Sequence, residues 1–303
     1  MNIAAATNTA AANPAAAKSR EDAREDARDD SRQARLTARH VSKLFWVEGE
    51  PDPTIALQGI SLTIHEGEFV CIVGPSGCGK TTFLNLVAGL LPYDEGSIEI
   101  SGTRVDGPGR DRAVVFQQSR LLPWRTTFDN VLYGMQLHRR FSEKERQQRA
   151  QDYIDLVGLR GSERRHPAQL SGGMQQRVNL ARALATDPEI LLMDEPFAAL
   201  DAQTREFMQA ELLRIWQEAG KTVMFVTHQI DEAIFLADRV FVFGTRPGRL
   251  RAEFEVPFAR PRRLSIKRTP EFLALTDQIW ALIEEEAARA GFMQPPGSAE
   301  KNQ

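Results

Sequence analysis

The sequence predicts an α/β fold in which a parallel sheet is covered by helices on both faces. Two patterns carry that expectation. Ile190-Leu191-Leu192-Met193, Val223-Met224-Phe225-Val226 and Val240-Phe241-Val242-Phe243 are continuous apolar runs alternating with helix-period stretches, as strands buried on both faces require. Ahead of them, the apolar run Phe69-Val70-Cys71-Ile72-Val73 stops at Gly74-Pro75-Ser76-Gly77-Cys78-Gly79-Lys80-Thr81-Thr82, after which Phe83, Leu84, Val87, Leu90 and Leu91 recur on one helical face. A glycine-rich turn between a buried strand and a helix is the setting that G-x-x-x-x-G-K-[ST] needs.

The remaining elements come in chain order. Residues 1–35 are Ala-rich and then strongly charged, with the near-repeat Arg20-Glu21-Asp22-Ala23, Arg24-Glu25-Asp26-Ala27 and Arg28-Asp29-Asp30. Little there can be buried to offset ordering entropy, so the segment reads as a disordered tail. Thr37 to Phe45 and Ile55 to Ile64 read as two strands around a loop holding Gly49, Pro51 and Pro53. Gly96 to Ile100 alternates as a half-buried strand, and Ala113-Val114-Val115-Phe116 reads as a buried strand followed at once by Gln117. Residues 126 to about 166 turn helical and charged. Ser142-Glu143-Lys144-Glu145 is a capping box for a helix to Val157. Leu170-Ser171-Gly172-Gly173 precedes a helix through Leu184, and a second amphipathic helix carries Phe207, Met208, Leu212, Ile215 and Trp216. Phe272, Leu275, Ile279, Leu282 and Ile283 mark one more helix, beyond which the last dozen residues read as frayed.

The totals narrow the function. With 303 residues the chain can bury a sizeable core as one large or two small domains. A net charge of −3 gives no reason to expect nucleic acid as a partner. Cys71 and Cys78 show neither disulfide nor metal-site spacing, which reads as cytosolic. No apolar run reaches about 18 residues, so no membrane span is expected. A secretory leader is not expected either, because the Ala-rich start is broken by Thr, Asn and Pro14.

The loop from Gly74 to Thr82 has an immediate chemical reading. Its glycines let successive N–H groups point into one concavity, a nest for phosphate oxygens. The helix N-terminus adds partial positive charge and unpaired donors. Lys80 is placed to reach the β- and γ-phosphates, and the Thr81 hydroxyl to ligate Mg²⁺. Asp194, ionised at the end of a buried strand, would hold the same Mg²⁺ through water, and the adjacent Glu195 would orient or deprotonate an attacking water. Ser171, Gly172 and Gly173 open a helix and so offer either a second phosphate pocket or only a well-capped helix end.

Leu170-Ser171-Gly172-Gly173-Met174-Gln175-Gln176-Arg177 resembles the LSGGQ signature of ABC-transporter ATPases, with Met174 in place of Gln. Ile190-Leu191-Leu192-Met193-Asp194-Glu195 looks like Walker B with its catalytic Glu, Ala199-Leu200-Asp201 like the D-loop, Gln117 like the Q-loop and His228 like the H-switch. The resemblance spans residues 36–255 with every motif in family order. It implies a P-loop NTPase: a RecA-like core with an antiparallel β subdomain and an inserted α-helical signature subdomain over about 121–180. Residues 256–303 would then be a C-terminal extension.

Further roles rest on that resemblance. Phe45 or Trp46 would stack on adenine, His228 would contact the γ-phosphate, and Gln117 would touch Mg²⁺ and water. Phosphate-loop residues Gly74, Pro75, Ser76, Gly77, Cys78, Gly79, Lys80, Thr81 and Thr82 would bind nucleotide. Asp201 would also bind nucleotide, and Ser171, Gly172 and Gly173 would complete the opposite subunit's site, so that two chains sandwich two ATP molecules. Thr204-Arg205-Glu206 after Asp201 resembles bacterial importer ATPases. Phe116 to Trp124 and Thr245-Arg246-Pro247-Gly248-Arg249 look like the nitrate/sulfonate/taurine group.

The resemblance thus implies a homodimeric ATPase at the cytoplasmic face of the inner membrane, bound to integral-membrane permease subunits and served by an extracytoplasmic solute-binding protein. An exporter ATPase or a soluble ABC ATPase outside transport is the alternative; the latter usually carries two cassettes or long insertions. A P-loop GTPase or kinase would lack the Ser-Gly-Gly signature and His228. Leu121, Leu122 and Trp124 are either core residues or the lining of the groove that receives the permease. Arg260-Pro261-Arg262-Arg263 with Lys267 and Arg268 reads as a solvated turn or a contact with an anionic membrane leaflet.

Overall fold

The computed structural model describes residues 33–46, 48–49, 51–137 and 140–289. Most of the charged tail and all of the frayed C-terminal end lie outside the described residues. Strand β1 (Ala34–Phe45) takes in Ala34 and Arg35, two residues that the sequence pattern assigns to the tail. They are ordered by pairing, since Ala34 lies opposite His65 and the Arg35 guanidinium pairs with Glu66 at 2.6 Å and with Glu189.

Strands β1, β2 (Thr54–His65), β4 (Glu95–Ile100) and β5 (Thr103–Arg104) form an antiparallel sheet in the order β2-β1-β4-β5. The second sheet runs β10-β9-β3-β8-β7-β6, from β3 (Phe69–Val73), β6 (Arg112–Val115), β7 (Ile190–Asp194), β8 (Thr222–Val226), β9 (Arg239–Gly244) and β10 (Arg249–Glu255). Its neighbours are parallel except at the β9–β10 hairpin. The expected architecture is therefore present, with one sheet of each kind. β6 is not the buried strand expected from its composition. It lies at the sheet edge, and Ala113 and Val114 are only half-buried.

The parallel sheet separates two apolar clusters, as period-2 alternation dictates. Phe69, Cys71 and Val73 face one cluster, shared with the inserted helices and with α5 (Ala202–Ala219), α6 (Ile230–Leu236) and α7 (Pro270–Arg289). Val70 and Ile72 face the other, shared with α1 (Lys80–Ala88) and the antiparallel sheet. Phe83, fully buried there, contributes about 2–3 kcal/mol by its removal from water. Helix α1 stops at Gly89, whose φ of 73° and contact with the Gly107 carbonyl leave no room for a side chain. Leu90 therefore falls beyond the helix and is exposed, not on its buried face.

Between β6 and β7 are inserted α2 (Thr127–Gln136), α3 (Glu143–Leu156) and α4 (Gly172–Ala185). The capping box of α3 forms as expected. Ser142 N–H donates to Glu145 at 2.7 Å, and Glu145 N–H donates to Ser142 Oγ at 3.3 Å. In α5 the predicted apolar face is correct except at Phe207, which is 61 % exposed. The C-terminal helix α7 is part of the core, because Phe272 and Ile279 are buried in the larger cluster.

Candidate functional site

The register of the parallel sheet brings the site together. Ile72 and Asp194 both pair with Val226, so β3, β8 and β7 end side by side. The Gly74–Thr82 loop, the Asp194-Glu195 pair and Thr227-His228 emerge from those three adjacent ends. That crevice is where open parallel sheets bind ligands.

The loop owes its shape to glycine. A Cβ on Gly74 would stand 2.4 Å from the Phe243 carbonyl oxygen, and one on Gly79 would stand 2.5 Å from Leu57 Cδ2. Gly79 also has a φ of 92°, in the left-handed region. Lys80 is buried, and its Nζ donates to the Gly74 and Pro75 carbonyls at 2.8 and 3.0 Å, with Cys78 Sγ at 3.7 Å. Burial pushes the Cys78 thiol up, so it stays a neutral group inside the loop.

Thr81 Oγ1 donates to Asp194 Oδ1 at 3.0 Å, across 113 positions of chain. Burial raises the Asp194 carboxyl above the ordinary Asp value, and the neighbouring Glu195 charge raises it further, against the Thr81 bond. A hydroxyl and a desolvated carboxylate are hard oxygen donors. Among the described residues no group of three His, Cys, Asp or Glu could hold a metal ion, and a hydroxyl with one carboxylate suits Mg²⁺, which keeps waters and phosphate oxygens in its shell.

Glu195 sits at φ 44°, a left-handed conformation that costs a non-glycine residue roughly 1–2 kcal/mol. Its N–H donates to the Val226 carbonyl at 2.9 Å, and its Oε2 lies 3.1 Å from His228 Nδ1. The backbone thus turns sharply after β7 and aims Glu195 at His228, two residues past the end of β8. Nothing in the sequence signals that strain.

Ser171 is the N-cap of α4, and its Oγ accepts from Met174 N–H at 3.3 Å. Ser171 and Gly172 are exposed. Asp201 caps α5 by accepting from Thr204 N–H at 3.0 Å, and the Thr204 bonds hold its carboxyl low. The two stretches meet, since a Cβ on Gly173 would lie 3.5 Å from Thr204 Cγ2. Gln117, with Gly172, Gln176 and Leu200, lines a cavity of about 400 Å³. Phe45 and Trp46, at the end of β1, are 38 % and 73 % exposed, so both rings are free to stack. Lys43 Nζ lies 5.4 Å from the Phe45 centroid, and β2 beside it carries the Leu57 that packs on Gly79.

Several supporting residues went unseen in the sequence. Gln176 donates to the Gln117 carbonyl at 2.9 Å, while Arg182 donates to the Ser119 and Arg120 carbonyls at 3.1 and 3.0 Å. Buried Asn130 grips Leu122, Arg125 and Thr126. The loop from Gln117 is therefore held from both flanking helices, with Leu121 and Leu122 half-buried and Trp124 72 % exposed. The spacing of Gln176, Asn179 and Arg182 along one helix face was the available signal.

Neither reading of the basic cluster at 260–263 fits Arg260 and Arg262. Arg262 is buried and donates to the Ile234, Phe235 and Ala237 carbonyls at 3.1, 3.0 and 2.6 Å, closing the C-terminus of α6. Burial brings its pKa down to about 10. Arg260 pairs with Asp238 at 2.7 Å and lies 4.2 Å from the Trp216 ring.

The order and placement of these elements agree with the relatives of the chain. Residues 57–198 match the family model described as ABC transporter. An uncharacterised ABC transporter ATP-binding protein of Methanocaldococcus jannaschii is 49 % identical over 85 % of this chain and 94 % of its own length. The chain belongs to the ABC transporter ATP-binding family. The taurine import ATP-binding protein TauB of Escherichia coli is 47 % identical over 76 % of this chain and 92 % of its own. Among solved structures, a dimeric ATP-binding cassette bound to ADP and Pi in a post-hydrolysis state is 35 % identical, with a TM-score of 0.64. It is matched over 74 % of this chain and all of that one. CbiO1 of Clostridium perfringens, at 24 % identity and a TM-score of 0.66, shares the fold over 87 % of this chain and 96 % of its own. This ABC ATPase binds and hydrolyses ATP. None of its helices among the described residues is long and apolar enough to cross a membrane.

Proposed function

We propose that this ABC ATPase energises an importer for a small oxyanion-type solute of the nitrate, aliphatic sulfonate or taurine class. The likeness to TauB, 47 % over nearly the whole of that protein, is the observation that carries it. The exposed Trp124, on a loop braced by Asn130 and Arg182, supports docking to a membrane permease. In this reading the chain works as a homodimer on the cytoplasmic face of the membrane, and an extracytoplasmic binding protein selects the solute.

In this reading the residues divide the work. Loop N–H groups and Lys80 hold the phosphates, and Thr81 with Asp194 would hold Mg²⁺, which supplies charge neutralisation at the β- and γ-phosphates. Glu195 accepts a proton from, or orients, the attacking water, and His228 at 3.1 Å fixes the Glu195 carboxylate. Gln117 reports the state of the γ-phosphate to the loop that carries Trp124. Ser171, Gly172, Gly173 and Asp201 serve the site of the other subunit.

Purification of the chain with its neighbouring permease genes expressed tests the reading. A complex of two ATPases and two permeases, stimulated by a loaded solute-binding protein, is expected. A complex without any need for a binding protein would instead assign the chain to export, and no permease at all would place it outside transport.

A further inference from the structure

His228 meets Glu195 from a short turn, Thr227-His228-Gln229, that joins β8 to α6. Thr227 closes that turn. Its N–H donates to the Ile72 carbonyl at 3.1 Å, which ties it to β3, and its hydroxyl oxygen accepts from Gln229 N–H at 3.0 Å. The direction of the Thr227 hydroxyl therefore decides how the chain passes through His228.

A buried carboxylate sets that direction. Glu232, in the first turn of α6, accepts from Thr227 Oγ1 at 2.5 Å on Oε2 and from Gln209 Nε2 at 3.0 Å on Oε1. Gln209 is buried on α5, and its oxygen accepts from Lys267 Nζ at 2.9 Å. An ammonium only donates, so the Gln209 amide has one orientation, with its NH₂ group toward Glu232. Lys267 pairs in turn with Asp231 at 3.2 Å and stands on the 3₁₀ turn Leu264–Arg268, beyond the last strand. Burial raises the Glu232 carboxyl above the ordinary Glu value, and the Thr227 and Gln209 bonds oppose that rise.

Helix capping alone does not account for Glu232. A carboxylate at the third position of a helix ordinarily reaches back to the N–H of the N-cap residue. Here the N-cap is Gln229, whose N–H goes to Thr227, and both Glu232 oxygens are taken by side chains. A hydroxyl has one proton and two lone pairs. With its proton committed to Glu232, Thr227 Oγ1 meets Gln229 N–H only as an acceptor. The turn closed in this way is the one that places His228 Nδ1 3.1 Å from Glu195 Oε2.

We propose that Glu232 is a positioning residue for ATP hydrolysis: oriented by Gln209 and Lys267, it fixes the Thr227 hydroxyl and so holds His228 against Glu195. This rests on the roles given above to His228 and Glu195, and it carries the support of the site out to the C-terminal extension. The phosphate loop makes none of these bonds, so loss of the carboxylate acts on turnover and not on nucleotide affinity.

Phosphate release, AMP-PNP binding with Mg²⁺, and NMR of the full chain labelled at histidine test this, each well below the melting temperature of the variant used. In Glu232→Gln one acceptor becomes a donor. Its kcat is expected to fall about tenfold at unchanged AMP-PNP affinity, the cost of one misdirected buried hydrogen bond. The His228 imidazole signal, identified by its loss in His228→Ala, should shift. Adding Gln209→Glu exchanges the two side chains and restores every bond. The amide now accepts from Thr227 and donates to the new carboxylate, which pairs with Lys267, so kcat and the imidazole signal should both return. Thr227→Val removes the hydroxyl at nearly constant shape and should repeat the loss seen in Glu232→Gln. Near-normal turnover in Glu232→Gln or Thr227→Val overturns the proposal, as does a lower kcat with the imidazole signal unmoved, or a folded exchange variant that stays slow. Normal turnover in His228→Ala would instead remove the role of the histidine itself, and the positioning with it.

Discussion

The phosphate loop and the Ser171–Gly173 stretch are both glycine-bearing turns that open a helix, but their surroundings differ. In the phosphate loop the chain itself demands the residues. Lys80 is buried and bonded to two loop carbonyls, Thr81 bonds Asp194, and side chains at Gly74 or Gly79 would overlap Phe243 or Leu57. At the signature stretch, a Cβ on Gly172 or Gly173 would meet its nearest neighbour at 3.6 or 3.5 Å, an ordinary contact. The Ser171 hydroxyl only caps its own helix. Glycine at 172 and 173 therefore answers no packing need among the described residues. In the proposed function the need comes from outside, from a nucleotide held on a second copy.

The largest effect expected from breaking this contrast is at Lys80. Lys80→Ala should lower ATP turnover by about 10³-fold or more, measured as phosphate release, because a charge aimed at the transferring phosphates is lost. Near-normal turnover would remove the loop from the chemistry. Next comes Gly173→Ala. Within its own chain the substitution should be neutral or stabilise α4 by about 0.5–1 kcal/mol, since alanine is the better helix former. ATPase activity should nevertheless fall about 10²-fold if the glycine admits a partner-bound phosphate. Thermal melts and turnover measured on the same sample separate the two. Loss of both together would return Gly173 to an ordinary structural role.

Gly79→Ala should show the opposite pattern, losing about 1–3 kcal/mol of stability in denaturant melts, because its φ is left-handed and its Cβ position is taken by Leu57. The smallest effect is at Asp194. Its folded-state pKa is raised by burial, so between the unfolded and folded values the native chain holds a proton that the unfolded chain has released. Stability then falls as pH rises through that window. Asp194→Asn should accordingly melt higher than the original chain at neutral pH without Mg²⁺ and nucleotide, and the gap should close as pH falls toward about 4, the ordinary Asp value. A variant that melts lower at neutral pH would show that the carboxylate is stabilised in the empty site.

These contrasts also mark what could be read from residues alone. Apolar runs were enough for the central strands of the parallel sheet, because strands buried on both faces leave little choice of partner, whereas the short β5 and the half-exposed β10 carry no such run and went unnamed. The buried polar supports were not legible. Gln176, Arg182 and Asn130 act on backbone carbonyls that no local pattern names as acceptors, for Gln176 and Arg182 about 60 positions away in the chain. The cluster at 260–263 misled for the same reason, since a row of arginines looks solvated until the end of α6 is seen to need Arg262. The left-handed Glu195 is a backbone fact with no side-chain signature. Edge position explains β6, whose composition matches that of the central strands.

Light scattering on Glu195→Gln, with and without ATP, tests the central claim most directly. The substitution removes the proposed proton acceptor but leaves the phosphate loop and the signature stretch intact. ATP should convert this variant from monomer to a stable dimer, and the added Gly173→Ala change should prevent the conversion. If the Glu195→Gln chain stays monomeric with ATP bound, or dimerises equally well with Gly173→Ala, the second chain does not complete the site.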